Sequence, residues 1–503
     1  MKIVSSEAMA LIDRRAQDEF AIPSQMLMED AGVTAWSVFI RRACAGKLPR
    51  GLVVFLAGKG NNGGDALVMA RRALTSGVRG ISVVLAGGRP APDSDPGRNL
   101  ATCEAHGIEC LRWPEDRARV DERLREAAWI LDGIAGTGLR GGLRSPLAEL
   151  VSAVNEAPGK KAAIDVPSGI SDSFDPSHPA VKADVTLTMG LPKLCLYLPR
   201  ARALCGDILV VRVGFPPALI TDPSIPGESL SFGAWRKLLK PVPPDTHKGR
   251  RGHLAVFAGS QGTTGAAWLC ASAAARSRLG LVSLFAGRDV YPILAQKATS
   301  VMVKPWDEPR APGWEGPDPA AYTGFLVGPG WGLAEGREKW LERLLSLDVR
   351  GTIDADGITL LSRIAARGKV RLGGKWVLTP HPGEFSRISG TDKEEVLRDP
   401  PRHAATLASR LDAVTVLKGH CTVVASPSGR YWIIDGPNAA LATGGSGDVL
   451  AGLIGAGIAG GLSPLDAALF GVSFHASLGR TAWRTKGWFL AEDLVPLISL
   501  MLR

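Results

Sequence analysis

Short apolar, β-branched runs alternate with amphipathic segments along the first 215 residues. Segments 52–57, 81–86, 129–132, 162–166, 185–189 and 208–213 read as buried strands, and 67–76 and 116–127 as helices. Strands that are apolar almost throughout, separated by helices, predict a parallel sheet covered on both faces. Ligands of such sheets sit beyond the carboxyl ends of the strands. The pattern lapses between Phe215 and Lys248, where Pro216, Pro217, Pro223, Pro226, Pro241, Pro243 and Pro244 predict a linker. It resumes with predicted strands at 253–258, 282–285, 324–327, 351–354, 375–379 and 414–417. Runs 421–425 and 431–434 flank a Pro-Ser-Gly turn and predict a hairpin. Segment 305–320, rich in proline, glycine and acid, predicts an exposed loop. No internal repeat is evident.

The most informative stretch is ATGGSGDVLAG at 442–452. Its glycines let backbone approach a ligand that side chains would block. The apolar run Val449, Leu450 and Ala451 reads as the first turn of a buried helix. Free N–H groups and the helix dipole at such a turn favour phosphate. A carboxylate there, Asp448, repels phosphate and is better suited to taking a proton from a hydroxyl that attacks phosphorus. A turn capped by Asp448 is the plain alternative, but the glycine density favours a phosphate cradle.

Three strand ends in the first half deliver oxygen ligands to one rim. The first is GKGNNGGD at 58–65, which is not a dinucleotide GxGxxG because its third glycine falls out of register. The others are DGIAGTG at 132–138 and DVPSG at 165–169. Asn62, Asp132 and Ser168 offer only oxygens, a set that suits a hard cation. Asp165 is the best candidate acid/base. Each alone could simply satisfy a turn; together they favour a site. In the second half, Gly259-Ser260, GPGWG at 328–332, DADG at 354–357, TPHPGE at 379–384 and Lys418-Gly419 also follow predicted strands. The prolines around His381 fix it, and the strand before Lys418 aims that lysine at the rim that holds Asp448.

The 503 residues are enough for two or three full cores, and 45% hydrophobic with 21% charged residues marks a globular chain. The net charge of +10 is scattered, with no aromatic-interleaved basic stripe, so no nucleic-acid partner is expected. The seven cysteines form no CxxC pair and suit a reducing compartment. The first fifteen residues carry Glu7, Asp13, Arg14 and Arg15, so no signal-peptide core is expected. No apolar run reaches membrane-spanning length, and a cytoplasmic location is expected.

With LMEDAG at 27–32 and IDVPSG at 164–169, the first-half motifs resemble the epimerase domain of NAD(P)H-hydrate repair enzymes over about residues 1–215. The resemblance implies that Asn61, Asn62, Gly63, Gly64 and Asp65, with Gly136, Thr137, Gly138, Leu139, Arg140, Gly141 and Gly142, hold the substrate's phosphates and ribose. It implies potassium (K+) at Asn62, Asp132 and Ser168, and Asp165 as catalytic and substrate-binding. Ala66 stands where that family usually has glycine, and Asp30 where it has asparagine.

HKGRRGHLAVFAGS, VGPGWG, IDADGI, LTPHPGE, VLKG and ATGGSGDVLAG, in that order, resemble the dehydratase domain of the same system, over roughly 225–503. That resemblance implies that Asp448 acts on the substrate hydroxyl. Lys418, Gly419, His420, Cys421, Thr422 and Gly447 would bind the nucleotide. Ala266, Gly330, His381 and Asp448 would contact the hydrated dinucleotide. Trp331 stands where leucine is usual, and 436–440 is a reordered form of the usual loop.

The expected fold is α/β with two domains: a Rossmann-like three-layer sandwich at 1–222 and a ribokinase-like three-layer sandwich at 223–503. The implied activity is epimerisation of hydrated NADH and NADPH, then dehydration with ADP or ATP and Mg2+, in a homo-oligomer. The rival is a ribokinase-type small-molecule kinase carrying a non-catalytic nucleotide-binding module.

Overall fold

The computed structural model describes residues 1–239, 241–307, 316–436 and 438–502. The chain divides into two compact units, Met1–Gly227 and Glu228–Arg503, each with its own core. The division falls inside the proline-rich segment. That segment is not a bare tether: it holds a short helix at Pro217–Ile220, a strand at Gly227–Ser229 and a helix at Trp235–Leu238. Trp235 is buried against Phe474, with ring centroids 4.8 Å apart.

The first unit is built on a parallel sheet of β1 (Leu52–Ala57), β2 (Ile81–Ala86), β3 (Glu109–Trp113), β4 (Ala127–Gly133), β5 (Lys160–Ile164), β6 (Val185–Met189) and β7 (Asp207–Val211). Its spatial order is β3-β2-β1-β4-β5-β6-β7. Alternation of side chains divides each apolar strand between two cores. Val53, Phe55 and Ala57 face α1 (Ser6–Phe20), α2 (Ser24–Val38) and α3 (Asn61–Thr75). Val54 and Leu56 belong to the opposite core, with α4 (Arg117–Glu126) and α5 (Leu147–Glu156). The sequence did not predict β3, because Glu109 and Arg112 interrupt its apolar pattern at a sheet edge.

The second unit repeats the scheme with β8 (His253–Phe257), β9 (Leu281–Gly287), β10 (Met302–Trp306), β11 (Gly324–Val327), β12 (Gly351–Ile353), β13 (Trp376–Leu378), β14 (Val414–Leu417), β15 (Cys421–Ala425) and β16 (Tyr431–Asp435). These run in the order β16-β15-β14-β13-β12-β11-β8-β9-β10. They are parallel except at β14–β15 and β15–β16, where the predicted hairpin folds back. One face carries α6 (Thr264–Ala275), α10 (Ser446–Ala459) and α11 (Pro464–Lys486). The other carries α7 (Glu335–Leu345), whose Trp340 packs on Phe257 with ring centroids 4.1 Å apart, followed by α8 (Asp356–Arg367) and α9 (Pro382–Ser389). Strand β10 corrects the expected loop at 305–320: Pro305 is tolerated on an edge strand, and Trp306 is buried. Residues 308–315 of that expected loop lie outside the described residues. Among the described residues no helix is long and apolar enough to cross a membrane.

Candidate active sites

In the first unit the carboxyl ends of β1, β4, β5 and β6 surround a cavity of about 590 Å³. GKGNNGGD opens a helix, as its position after a strand implies: residues 61–64 are the first turn of α3, and no side chain caps its start. Asn61, Asn62 and Asp65 line the cavity from this helix, and Gly136, Thr137, Gly138 and Leu139 line it from the loop after β4. Gly63 and Gly64 lie behind it, where close packing needs them: a Cβ on Gly63 would stand 1.9 Å from the Gly58 carbonyl oxygen. Arg140, Gly141 and Gly142 are not among the cavity-lining residues; Gly142 instead packs against the His178 ring.

Asp165 reaches the cavity from the end of β5 in the left-handed region, at φ +66°, a conformation that is rare for residues other than glycine and less so for aspartate. Its Oδ1 accepts the Met189 N–H at 3.0 Å and a bond from the Lys193 ammonium. Lys193 also donates to the Met189 carbonyl at 2.5 Å, so this buried lysine holds the carboxylate in one place.

Two further carboxylates face the pair. Burial, aided by Asp165 and opposed by Lys193, pushes Asp13 of α1 up to about 6. Burial, with Asp165 and Asp13 nearby, holds Asp65 well above the ordinary value. Asp13 and Lys193 carry no motif. Lys193, four residues beyond β6, could have been found by extending the strand-end argument to that strand.

Asp132 and Ser168 are fully buried and joined: Ser168 donates from Oγ at 2.5 Å and from N–H at 2.8 Å. Burial raises the Asp132 pKa to about 6 despite those bonds. Both polar atoms of the Asn62 carboxamide are buried without a hydrogen-bond partner, against Gly136. An orphaned carbonyl beside such an oxygen-rich pair fits a monovalent cation.

In the second unit Lys418, at the end of β14, donates to Asp354 Oδ1 at 2.9 Å and lies 3.9 Å from Glu384 Oε2. Thr379 Oγ1 holds the same Asp354 oxygen at 2.7 Å. Burial works against the Lys418 ammonium, but Asp354 and Glu384 outweigh it and raise its pKa. Burial, with Asp354 adding its charge, pushes Asp448 up to about 7 against the pull of Lys418. Asp448 stands in the first turn of α10, whose N-cap is Gly445 at φ +90°. A Cβ on Gly447 would lie 3.5 Å from Lys418 Nζ, so the lysine flanks the helix entrance.

Gly330 is tied to the loop after β8 by Ser260 and Thr263, whose hydroxyls donate to its carbonyl at 3.0 and 2.7 Å. Ala266 is half-buried in the first turn of α6. His381 caps α9 in a reciprocal box with Glu384, and its side chain stays exposed. Gly419 and His420 are exposed at the turn into β15, Cys421 is buried in that strand, and Thr422 is half-buried there. Trp331 is buried in an aromatic cluster, with ring centroids 5.4 Å from Trp306 and 5.5 Å from Trp340, a packing role that accounts for a large ring here. Pro437 of the reordered loop lies outside the described residues.

Two sheet-end sites, each with carboxyl groups shifted toward neutrality, define an α/β enzyme with two centres. Residues 24–195 match the family model of the YjeF-related protein N-terminus, and residues 254–499 that of NAD(P)H-hydrate dehydratase. The chain is 35% identical over 459 residues to the bifunctional NAD(P)H-hydrate repair enzyme Nnr of Coxiella burnetii, covering 89% of this chain and 90% of that one. It is 32% identical over 496 residues to Nnr of Escherichia coli, covering 96% and 90% respectively. The second unit is similar to the ADP/ATP-dependent NAD(P)H-hydrate dehydratase of Bacillus subtilis, co-crystallised with ATP/Mg2+, at 26% identity and TM-score 0.48, covering 55% of this chain and 99% of that chain. The chain belongs to the bifunctional NAD(P)H-hydrate repair enzyme family.

Lys193→Met should leave the Asp165 carboxylate buried without its cation, a loss of about 3–5 kcal/mol. Calorimetry should find a lower first-unit transition and an unchanged second one. A first transition that stays in place would mean that Lys193 does not hold Asp165.

Proposed function

We propose that the chain repairs hydrated NADH and NADPH, with residues 1–222 as the epimerase domain and 223–503 as the dehydratase domain. Hydration of the reduced ring leaves a hydroxyl at C6 in two epimers. The first domain interconverts them, with Asp165 moving a proton. The second phosphorylates the S epimer's hydroxyl from ADP or ATP, and loss of phosphate restores the ring, because phosphate leaves far more readily than hydroxide. The fusion follows from the chemistry: one domain supplies the epimer that its partner consumes.

The observation that carries this reading is Asp448 at the entrance of α10, with its pKa pushed to about 7 beside a lysine and a glycine-lined helix start. Its carboxylate takes the hydroxyl proton as oxygen attacks phosphorus. The α10 amides, Gly447 and residues 418–422 hold the nucleotide, while Ala266, Gly330 and His381 orient the hydrated dinucleotide. Mg2+, when bound, neutralises charge on the transferring phosphate. In the epimerase cavity Asn61, Asn62 and Asp65, with Gly136, Thr137, Gly138 and Leu139, hold pyrophosphate and ribose. Asn62, Asp132 and Ser168 hold K+, which offsets repulsion between the carboxylates and the pyrophosphate. The protein acts in the cytoplasm, as a homo-oligomer.

Asp448→Asn should lower dehydration by roughly two to four orders of magnitude while nucleotide affinity stays nearly unchanged. Because the base must be unprotonated, kcat/KM for dehydration should rise with pH through about 7 and then level off. Nucleotide affinity falling in step with rate would make Asp448 a structural cap instead.

Asp165→Ala should leave dehydration of the S epimer unchanged while the R epimer accumulates. Replacing potassium with a bulky organic cation should weaken epimerisation alone, and Asp132→Ala should remove that response. Equal loss of both activities in Asp165→Ala, or a potassium response that survives in Asp132→Ala, would contradict the assignment.

A further inference from the structure

The epimerase reading gives Asp165 a proton to move, yet inversion at C6 needs a second proton-transfer group. When the C6–O bond breaks, oxygen departs with the bonding pair and must be protonated to leave as water. The ring nitrogen's lone pair then forms the N=C6 bond. A solvent water adds to the opposite face, its oxygen forming the new C6–O bond while the N=C6 pair returns to nitrogen. That water gives up a proton. One group must donate at one face and another must accept at the other, and the two exchange roles in the reverse direction.

Asp165 comes from the end of β5 and is ion-paired with Lys193. Asp13, carried by α1 rather than by a strand end, lines the same cavity. The groups facing Asp13 are Lys193, Asp165 and, from α3, Asp65. No hydrogen bond or ion pair of the Asp13 carboxyl group is among the contacts of the described residues, whereas Asp165 is held by Met189 and Lys193. Asp13 is therefore free to serve a ligand. Resting on the epimerase reading, we infer that Asp13 is a second catalytic residue, the acid that protonates the departing C6 oxygen while Asp165 accepts the proton of the entering water. After each turnover the proton returns from Asp165 to Asp13 through solvent. Burial keeps Asp13 at about 6, so a protonated fraction is present near neutrality.

Asp13→Asn preserves size and removes the proton. In the full chain it should slow interconversion of purified R and S hydrates by about 100-fold or more in kcat, with KM within a few fold. The unmodified chain should lose kcat/KM as pH rises above about 6, because the acid form disappears, and Asp13→Asn should lack that limb. Dehydration of the S hydrate by the same preparation should be unchanged, and the first-unit calorimetric transition should stay in place, which together exclude misfolding. If the unmodified chain does not interconvert the epimers, the epimerase reading itself fails. If it does, and Asp13→Asn keeps the rate, keeps the limb or changes KM alone, this inference is overturned. Loss of the limb in Asp65→Asn instead would assign the acid to Asp65.

Discussion

A carboxylate taken out of water loses solvation that only a nearby cation, a hydrogen bond or a proton can return. Each sheet end of this protein meets that cost several times with one lysine, fully buried at Lys193 and partly buried at Lys418. In the first unit Lys193 is bonded to Asp165, and Asp13 and Asp65 share the cavity with the pair. In the second, Lys418 bridges Asp354 and Glu384, and Asp448 lies within their field. The lysine fixes one carboxylate in place, and the carboxylates left over rise toward neutrality. Groups that can both hold and release a proton near neutral pH arise from this imbalance.

The same constraint explains why glycines crowd these rims. Polar groups at strand ends and helix starts can meet a phosphate only where no side chain intervenes. A Cβ at Gly63 would strike the Gly58 carbonyl, and one at Gly330 would strike Thr263, so the backbone around each site is already packed to its limit. The buried, unpartnered Asn62 carboxamide sits inside this packing, where a ligand or cation could complete it.

Much of the fold was legible because the central strands are apolar on both faces: 52–57, 81–86, 185–189, 324–327, 414–417 and 421–425 were read at their observed limits. Two edge strands were not, since Glu109 and Arg112 in one and Lys304 and Pro305 in the other meet solvent demands that erase the pattern, whereas the edge strand β7 kept its apolar run. At the sites, glycine-rich strand ends announced Asp165, Asp448 and Lys418. Asp13 and Lys193 stayed hidden, because one lies in an ordinary amphipathic helix and the other in an apolar loop, and only tertiary structure brings them together. His381 was read from its prolines as fixed, and the capping box with Glu384 supplies a second reason for its position.

In the proposed function two proton-transfer centres act in series on one substrate. The most direct measurement follows the recovery of reduced-nicotinamide absorbance from a mixture of both hydrate epimers, with ADP and with ATP in turn. Recovery should be complete with the intact chain. With Asp165→Ala it should stop at the S fraction, and with Asp448→Asn there should be almost none. Complete recovery in Asp165→Ala, or a stable phosphorylated product in place of reduced cofactor, would contradict the proposed function.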